Sequence, residues 1–217
     1  MGDKTTTDGK QKLRILIACE ESQAVYIAFR EQGHEAYSCD IQPCSGGKPE
    51  WHIQGDALKE AYSGKYDMMI GFPPCTYLTY AGTRHWNNPG RLKNRLEALQ
   101  FFAALWLAPI DKICLENPKG CASPTIAKYS QIIQPYYFGD SEQKTTCLWL
   151  KGLDPLIHTE YDDLFTLRTH VEKPEPHGVL STGKKTYFSD GKTRDPKVRS
   201  KTFPGIAAAM SKQWGNI

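Results

Sequence analysis

Short apolar runs and helix-length amphipathic stretches take turns along this chain, and that alternation leaves few architectures open. Leu13 to Ala18 (LRILIA) reads as a buried strand. Ser22 to Gly33 (SQAVYIAFREQG) reads as a helix with Ser22 at its N-cap and Gly33 as its stop, and His34 to Asp40 (HEAYSCD) as a second strand. A short helix after HIQGDA, the run YDMMIGF, a long helix over Leu92 to Leu107 and a strand over Asp111 to Asn117 continue the pattern. Crossovers long enough to hold a helix imply an α/β fold with a mostly parallel sheet and helices on both faces. IIQPYYF and TTCLWLKG follow each other closely, and an antiparallel hairpin is expected to finish the sheet there. A last helix is expected from Pro204 to about Trp214, with proline in its first turn.

At 217 residues and 40% apolar content the chain suits one main domain over residues 13–217, preceded by a disordered tail over 1–12. No apolar run approaches the roughly 18 residues of a membrane span, and MGDKTTTDGKQK lacks the features of a signal peptide. The seven cysteines are odd in number and form no C-x-x-C pair, which argues against a disulfide framework or a zinc ribbon; no metal site is expected. The expectation is a cytoplasmic protein, monomeric or weakly dimeric, with no membrane partner. A net charge of +3 is too mild to identify a nucleic-acid partner by itself.

Residues 154–201 carry several prolines and glycines and little periodicity. From Gly183 onward this stretch holds Lys184, Lys185, Lys192, Arg194, Lys197, Arg199 and Lys201 against only Asp190 and Asp195. It is either a solvated loop or a strip that neutralises phosphates, with Tyr187 and Phe188 able to stack on a base.

Ligands of such sheets bind at the carboxyl ends of the strands. The first loop there, ACEESQ, has no glycine, and Glu20 and Glu21 put negative charge where a pyrophosphate would sit. A cationic cofactor without phosphate, S-adenosylmethionine, meets that requirement; carboxylates that merely cap a helix are the alternative. Asp40 ends the second strand, where a carboxylate would accept ribose hydroxyls, and Asp56 would reach an adenine amine, although aspartates also end strands by starting turns.

GFPPCTYLTYAG follows the strand at 66–70. Pro73 and Pro74 withhold two donors and fix φ, so the chain must leave the sheet there as a stiff loop that carries Cys75. A later strand end, CLENPKG, offers Glu116. Loops after neighbouring strands lie roughly 5 Å apart, so a thiol and a carboxyl would face one small ring. That pair suits methylation of cytosine at C5: a thiolate adding to C6 makes C5 nucleophilic, and a carboxyl group at N3 stabilises the adduct.

On these segments the chain resembles the DNA cytosine-5 methyltransferases, and more closely the short versions encoded by phages and prophages. The resemblance implies a Rossmann-like S-adenosylmethionine-dependent methyltransferase fold, DNA as partner and, for a phage protein, the host cytoplasm. GFPPCTYLTYAG is similar to the family's Pro-Pro-Cys loop, making Cys75 the nucleophile. LENPKG is similar to its Glu-Asn-Val segment, assigning Glu116 to N3 and Asn117 to support. FGDSEQKTTCLWLKG resembles its Gln-x-Arg-x-Arg segment and places Lys144 near the usual arginine, and RSKTFPGIAAAMSKQWG resembles its closing helix. The implied cofactor contacts are Glu20, Ser22, Asp40, Ile41, Asp56, Ala57 and Pro73; the implied nucleic-acid contacts are Arg84, Lys184, Lys185, Arg194 and Arg199.

Three departures stand out. ACEESQ replaces the usual Phe-x-Gly-x-Gly loop, lysine replaces a bidentate arginine at 144, and residues 154–201 are too few for a large target-recognition domain. A free cytosine nucleotide, RNA or a modified cofactor is therefore an alternative, as is a catalytically idle DNA-binding protein.

Overall fold

Ile15, Leu16, Ile17 and Ala18 are all fully buried because strand β1 (Arg14–Ala18) runs through the middle of a sheet, with a parallel neighbour on each side. The computed structural model describes residues 11–158, 174–176, 178–179, 181–183, 185–186 and 201–216. The expected tail is thus largely outside the described residues, as are Lys184, Arg194, Arg199, Tyr187 and Phe188 of the basic strip.

In chain order the main elements are β1, α1 (Ala24–Glu31), β2 (Glu35–Asp40), β3 (His52–Gln54), α2 (Ala57–Ala61), β4 (Met68–Gly71), α3 (Arg91–Trp106), β5 (Lys112–Asn117), α4 (Ala122–Thr125), β6 (Gln131–Ile133), β7 (Thr146–Lys151), a small hairpin of β8 (Gly178–Val179) and β9 (Lys185–Thr186), and α5 (Pro204–Trp214). Seven strands form one sheet in the order β3-β2-β1-β4-β5-β7-β6. The first five are mutually parallel, and β7 runs antiparallel to both β5 and β6. This is the expected Rossmann-like α/β architecture, finished by an antiparallel pair.

Alternation along the central strands feeds two apolar layers. Ile15, Ile17, Met68, Ile70 and Cys114 point to the layer shared with α1 and α5. Leu16, Ala18, Met69, Ile113 and Leu115 point to the layer shared with α2 and α3. Connections from β1 lead first to β2 on one side and later to β4 on the other, so the strand order reverses between β1 and β4. A crevice opens outside the strand ends at such a reversal. The chain segments flanking it are 19–23 and 72–75.

Two local expectations are corrected. Ser22 is not the N-cap of α1: the helix starts at Ala24, behind Gln23 in a left-handed conformation, and Glu20 supplies the cap instead. The run 132–138 is not one strand. β6 ends at Ile133, and Pro135, having no N–H to give a ladder, opens a 3₁₀ turn over Pro135–Phe138. Gly33 does stand just past α1, with a positive φ of 88° that suits a C-terminal stop. Among the described residues, which include all seven cysteines, no disulfide forms, and no helix is long and apolar enough to cross a membrane.

Candidate active site

Beyond β4 the chain stays extended through Pro73 and Pro74 and then turns sharply, with the Cys75 carbonyl accepting from the N–H groups of Leu78 (2.9 Å) and Thr79 (3.0 Å). Cys75 therefore occupies a corner. Its side chain is exposed, whereas Leu78 is fully buried and anchors the far side of the turn.

This turn is fastened to the one that follows β5. Asn117, 1% exposed, donates from Nδ2 to the Pro73 carbonyl at 2.7 Å. Tyr80 N–H donates to the Lys119 carbonyl at 3.1 Å and Cys121 N–H to the Leu78 carbonyl at 2.9 Å, around an antiparallel bridge between Thr79 and Gly120. Gly120 is required for this approach, since a Cβ there would lie 2.2 Å from the Leu78 carbonyl oxygen. The segments carrying Cys75 and Glu116 thus form one cross-linked unit.

Glu116 is half-buried and lines a cavity of about 20 Å³ with Phe72, Lys144, Thr146, Phe203 and Met210. That volume holds about one water. Burial raises the Glu116 pKa above its usual range; the Lys144 charge and a hydrogen bond from Thr146 pull it partly back. The Thr146 hydroxyl also lies 3.2 Å from the Lys144 carbonyl. Lys144 further sits over the Phe203 ring, 5.9 Å from its centre. Residues just before and within α5 therefore border the same cavity as the carboxyl.

At the other flank of the crevice, the glycine-free loop turns by placing Cys19 (φ 59°) and Gln23 (φ 61°) in the left-handed region, a conformation that costs a non-glycine residue roughly 1–2 kcal/mol. Burial, and after it the negative charge of Asp40 with smaller effects from Cys39 and Asp56, pushes the Cys19 thiol far above its ordinary range. Asp40 accepts from Gln42 N–H at 2.9 Å; Asp56 caps α2 by accepting from Leu58 N–H at 2.9 Å. Each bond uses one carboxylate oxygen. Ile41 stands beside Asp40 with 77% of its surface exposed, while Ala57 and Pro73 are buried.

Glu20 is only 4% exposed, and its two oxygens accept from Val25 N–H (2.7 Å) and Tyr26 N–H (3.3 Å) at the start of α1. Burial raises its pKa to about 7. Ser22 is half-buried in the same loop. Arg84 is exposed in the 3₁₀ segment Tyr80–His85, its Nε donating to His85 Nε2 at 2.9 Å, and Lys185 is exposed on β9. The structure brings Cys75, Pro73, Glu116, Asn117 and Lys144 to one side of the crevice and Glu20, Asp40 and Asp56 to the other.

Sequence reasoning missed Gln23, which is fully buried and bonds two separate segments, and missed the role of Gly120. For Gly120 a signal existed, because a glycine in a loop between strand and helix marks close backbone approach. For Gln23 none did.

No protein-family model matches the chain, and no curated protein matches it. Among solved structures it is similar to a candidate DNA modification methyltransferase encoded within an E. coli prophage, with 14% identity and a TM-score of 0.44. The match covers 70% of this chain and 52% of that one, so this chain spans about half of its neighbour. The site alone carries the functional reading below.

Proposed function

We propose that this chain transfers a methyl group from S-adenosylmethionine to C5 of cytosine in DNA, by way of a transient bond between Cys75 and C6. The observation that carries this reading is the cross-linking of the Cys75 turn to the Glu116–Asn117 turn: an exposed thiol and a carboxyl whose pKa burial raises are mounted on one unit at the strand ends. A structural cysteine has no need of such a mount.

In this reading Cys75 Sγ, as thiolate, adds to C6, and Glu116 gives a proton or a hydrogen bond to N3, which its raised pKa suits. C5 then has enamine character and takes the methyl group. The cofactor's sulfonium supplies that methyl as an electrophile. The C5 proton then passes to solvent, its electron pair re-forms the C5–C6 double bond as the C6–S bond breaks and the thiolate leaves, and N3 returns its proton to Glu116. Asn117 holds the Pro73 carbonyl and so fixes the height of the thiol, and Lys144 limits how far the Glu116 pKa rises. Asp40 would take the ribose hydroxyls, exposed Ile41 would cover one face of the adenine, and Asp56 would meet its amine. The crowd of carboxylates at the end of β1 favours a cationic, phosphate-free ligand. In duplex DNA the cytosine must leave the stack to reach Cys75.

The test is a duplex containing 5-fluorocytosine, which blocks loss of the C5 substituent. A cofactor-dependent covalent complex is expected with the native chain and none with Cys75→Ala. Labelled cofactor that marks only dCMP, and neither duplex nor single-stranded DNA, would refute the DNA assignment.

A further inference from the structure

Behind half-buried Asp40 and exposed Ile41 runs a polar chain that the reaction does not use, buried at Gln23 and Ser38 and reaching the surface through His52 and Gln42. Gln23, with no exposed surface, donates from Nε2 to Ser38 Oγ (3.1 Å) and to the Lys48 carbonyl (2.8 Å), while its Oε1 accepts from Lys48 N–H (3.0 Å). Ser38 Oγ lies 2.9 Å from His52 Nδ1, and His52 Nε2 lies 2.8 Å from the Gln42 carbonyl.

The proton positions follow from which groups can accept. A carbonyl only accepts, so His52 Nε2 carries the hydrogen, and in the neutral ring Nδ1 is then the acceptor. Ser38 Oγ–H must therefore donate to Nδ1, leaving its lone pairs for the Gln23 amide. Every bond runs in one direction, from Gln23 through Ser38 and His52 to Gln42. The Gln42 residue is the output: its carbonyl is held by His52 while its N–H donates to Asp40 Oδ1. The preceding Ile41 carbonyl accepts from Gln54 Nε2 at 3.3 Å. The strap from 41 to 48 is held at its start by His52, in its middle by Ser45 N–H donating to the Glu21 carbonyl (2.8 Å), and at its end by Gln23.

We infer that Gln23, Ser38 and His52 are positioning residues for the nucleoside end of the cofactor: by fixing the Gln42 carbonyl they hold the backbone of that residue, whose N–H on the preceding peptide aims the Asp40 carboxylate, and keep Ile41 at the rim. This rests on the cofactor assignment under Proposed function. None of the three has to touch the ligand; they remove the freedom that Asp40 and the strap would otherwise lose on binding.

The experiment measures S-adenosylhomocysteine binding by calorimetry, together with kcat and KM for S-adenosylmethionine and the melting temperature. The variants are Ser38→Ala, His52→Leu and His52→Gln. The expected result is roughly tenfold weaker binding for His52→Leu and Ser38→Ala, as the loss of one hydrogen bond would give, with the effect on KM larger than that on kcat. Partial recovery is expected in His52→Gln, whose amide can still donate to the Gln42 carbonyl. Unchanged binding in His52→Leu and Ser38→Ala, with only a lower melting temperature, would make the chain purely structural and overturn the inference while leaving the proposed function standing. A native chain that binds neither cofactor nor product would overturn both.

Discussion

Replacing Gly120 with alanine tests whether the cross-linked turns set the chemistry. The added Cβ would meet the Leu78 carbonyl oxygen at 2.2 Å, the Leu78 carbonyl carbon at 2.8 Å and Thr79 Cα at 3.1 Å. All three are backbone atoms, so no side chain can swing aside. Restoring an ordinary contact opens the two turns by roughly 1 Å, a displacement that costs on the order of 100-fold in rate when it separates a nucleophile from its partner group. The same opening strains the hydrogen bonds from Cys121 to Leu78, from Tyr80 to Lys119 and from Asn117 to Pro73, each worth about 1 kcal/mol net. Gly120→Ala should thus melt a few degrees lower and still fold, but transfer labelled methyl to cytosine DNA about 100-fold more slowly. Gly64→Ala is the control. Gly64 lies in the turn leading to the opposite end of β4, with open space around it but a φ of 69° that strains any Cβ, so it should lose comparable stability and keep its rate. Should both variants lose similar stability while Gly120→Ala turns over like the native chain, the two turns are not mechanically coupled to the reaction.

Two further outcomes follow from the carboxyls of Glu20 and Glu116, whose pKa values burial raises. Glu20 holds its proton to about pH 7 in the folded state against an ordinary value of 4.5, so folded protein binds more protons than unfolded chain between those limits. Stability should therefore fall as pH rises through that window, by on the order of 3 kcal/mol. Urea titrations at pH 5 and 7.5 should show that decline in the native chain and a much flatter response in Glu20→Gln; a native chain with no decline would contradict it. At Glu116 the Lys144 charge opposes the upward effect of burial, so Lys144→Met should raise the carboxyl pKa further. If protonated Glu116 serves N3, the alkaline fall of kcat should move to higher pH in Lys144→Met and return toward native in Lys144→Arg. A fall that stays in place would detach Glu116 from the rate.

The sheet was legible because its signals are local and periodic: β1, β2, β4 and β5 are short apolar runs between helix-length segments, and the Pro-Pro pair had to end β4. The misreadings arose where one local preference met a stronger tertiary one. Ser22 has the side chain of a cap, but Glu20 reaches two N–H groups of α1 from five and six residues before them, so the helix begins later. Tyr136 and Tyr137 favour strands, yet Pro135 cannot contribute a donor and the chain coils into a 3₁₀ turn. The thiol and carboxyl positions could be picked out because Cys75 directly follows the Pro73–Pro74 pair beyond β4 and Glu116 lies at the end of β5, two residues before Pro118. Their fastening through Asn117 was not visible, since it depends on which strands become neighbours. Gln23 was hidden more deeply: a lone polar residue at a helix start looks solvated until Ser38 and Lys48 are brought against it.

Two turns tied together at three places share one backbone mount, so a shift in either is carried to the other. If the proposed ring chemistry takes place there, the spacing offered to the ring would come from the backbone rather than from a closing lid. A mutation anywhere along the ties would then be felt as a change of calibre, even where no atom of the guest is touched.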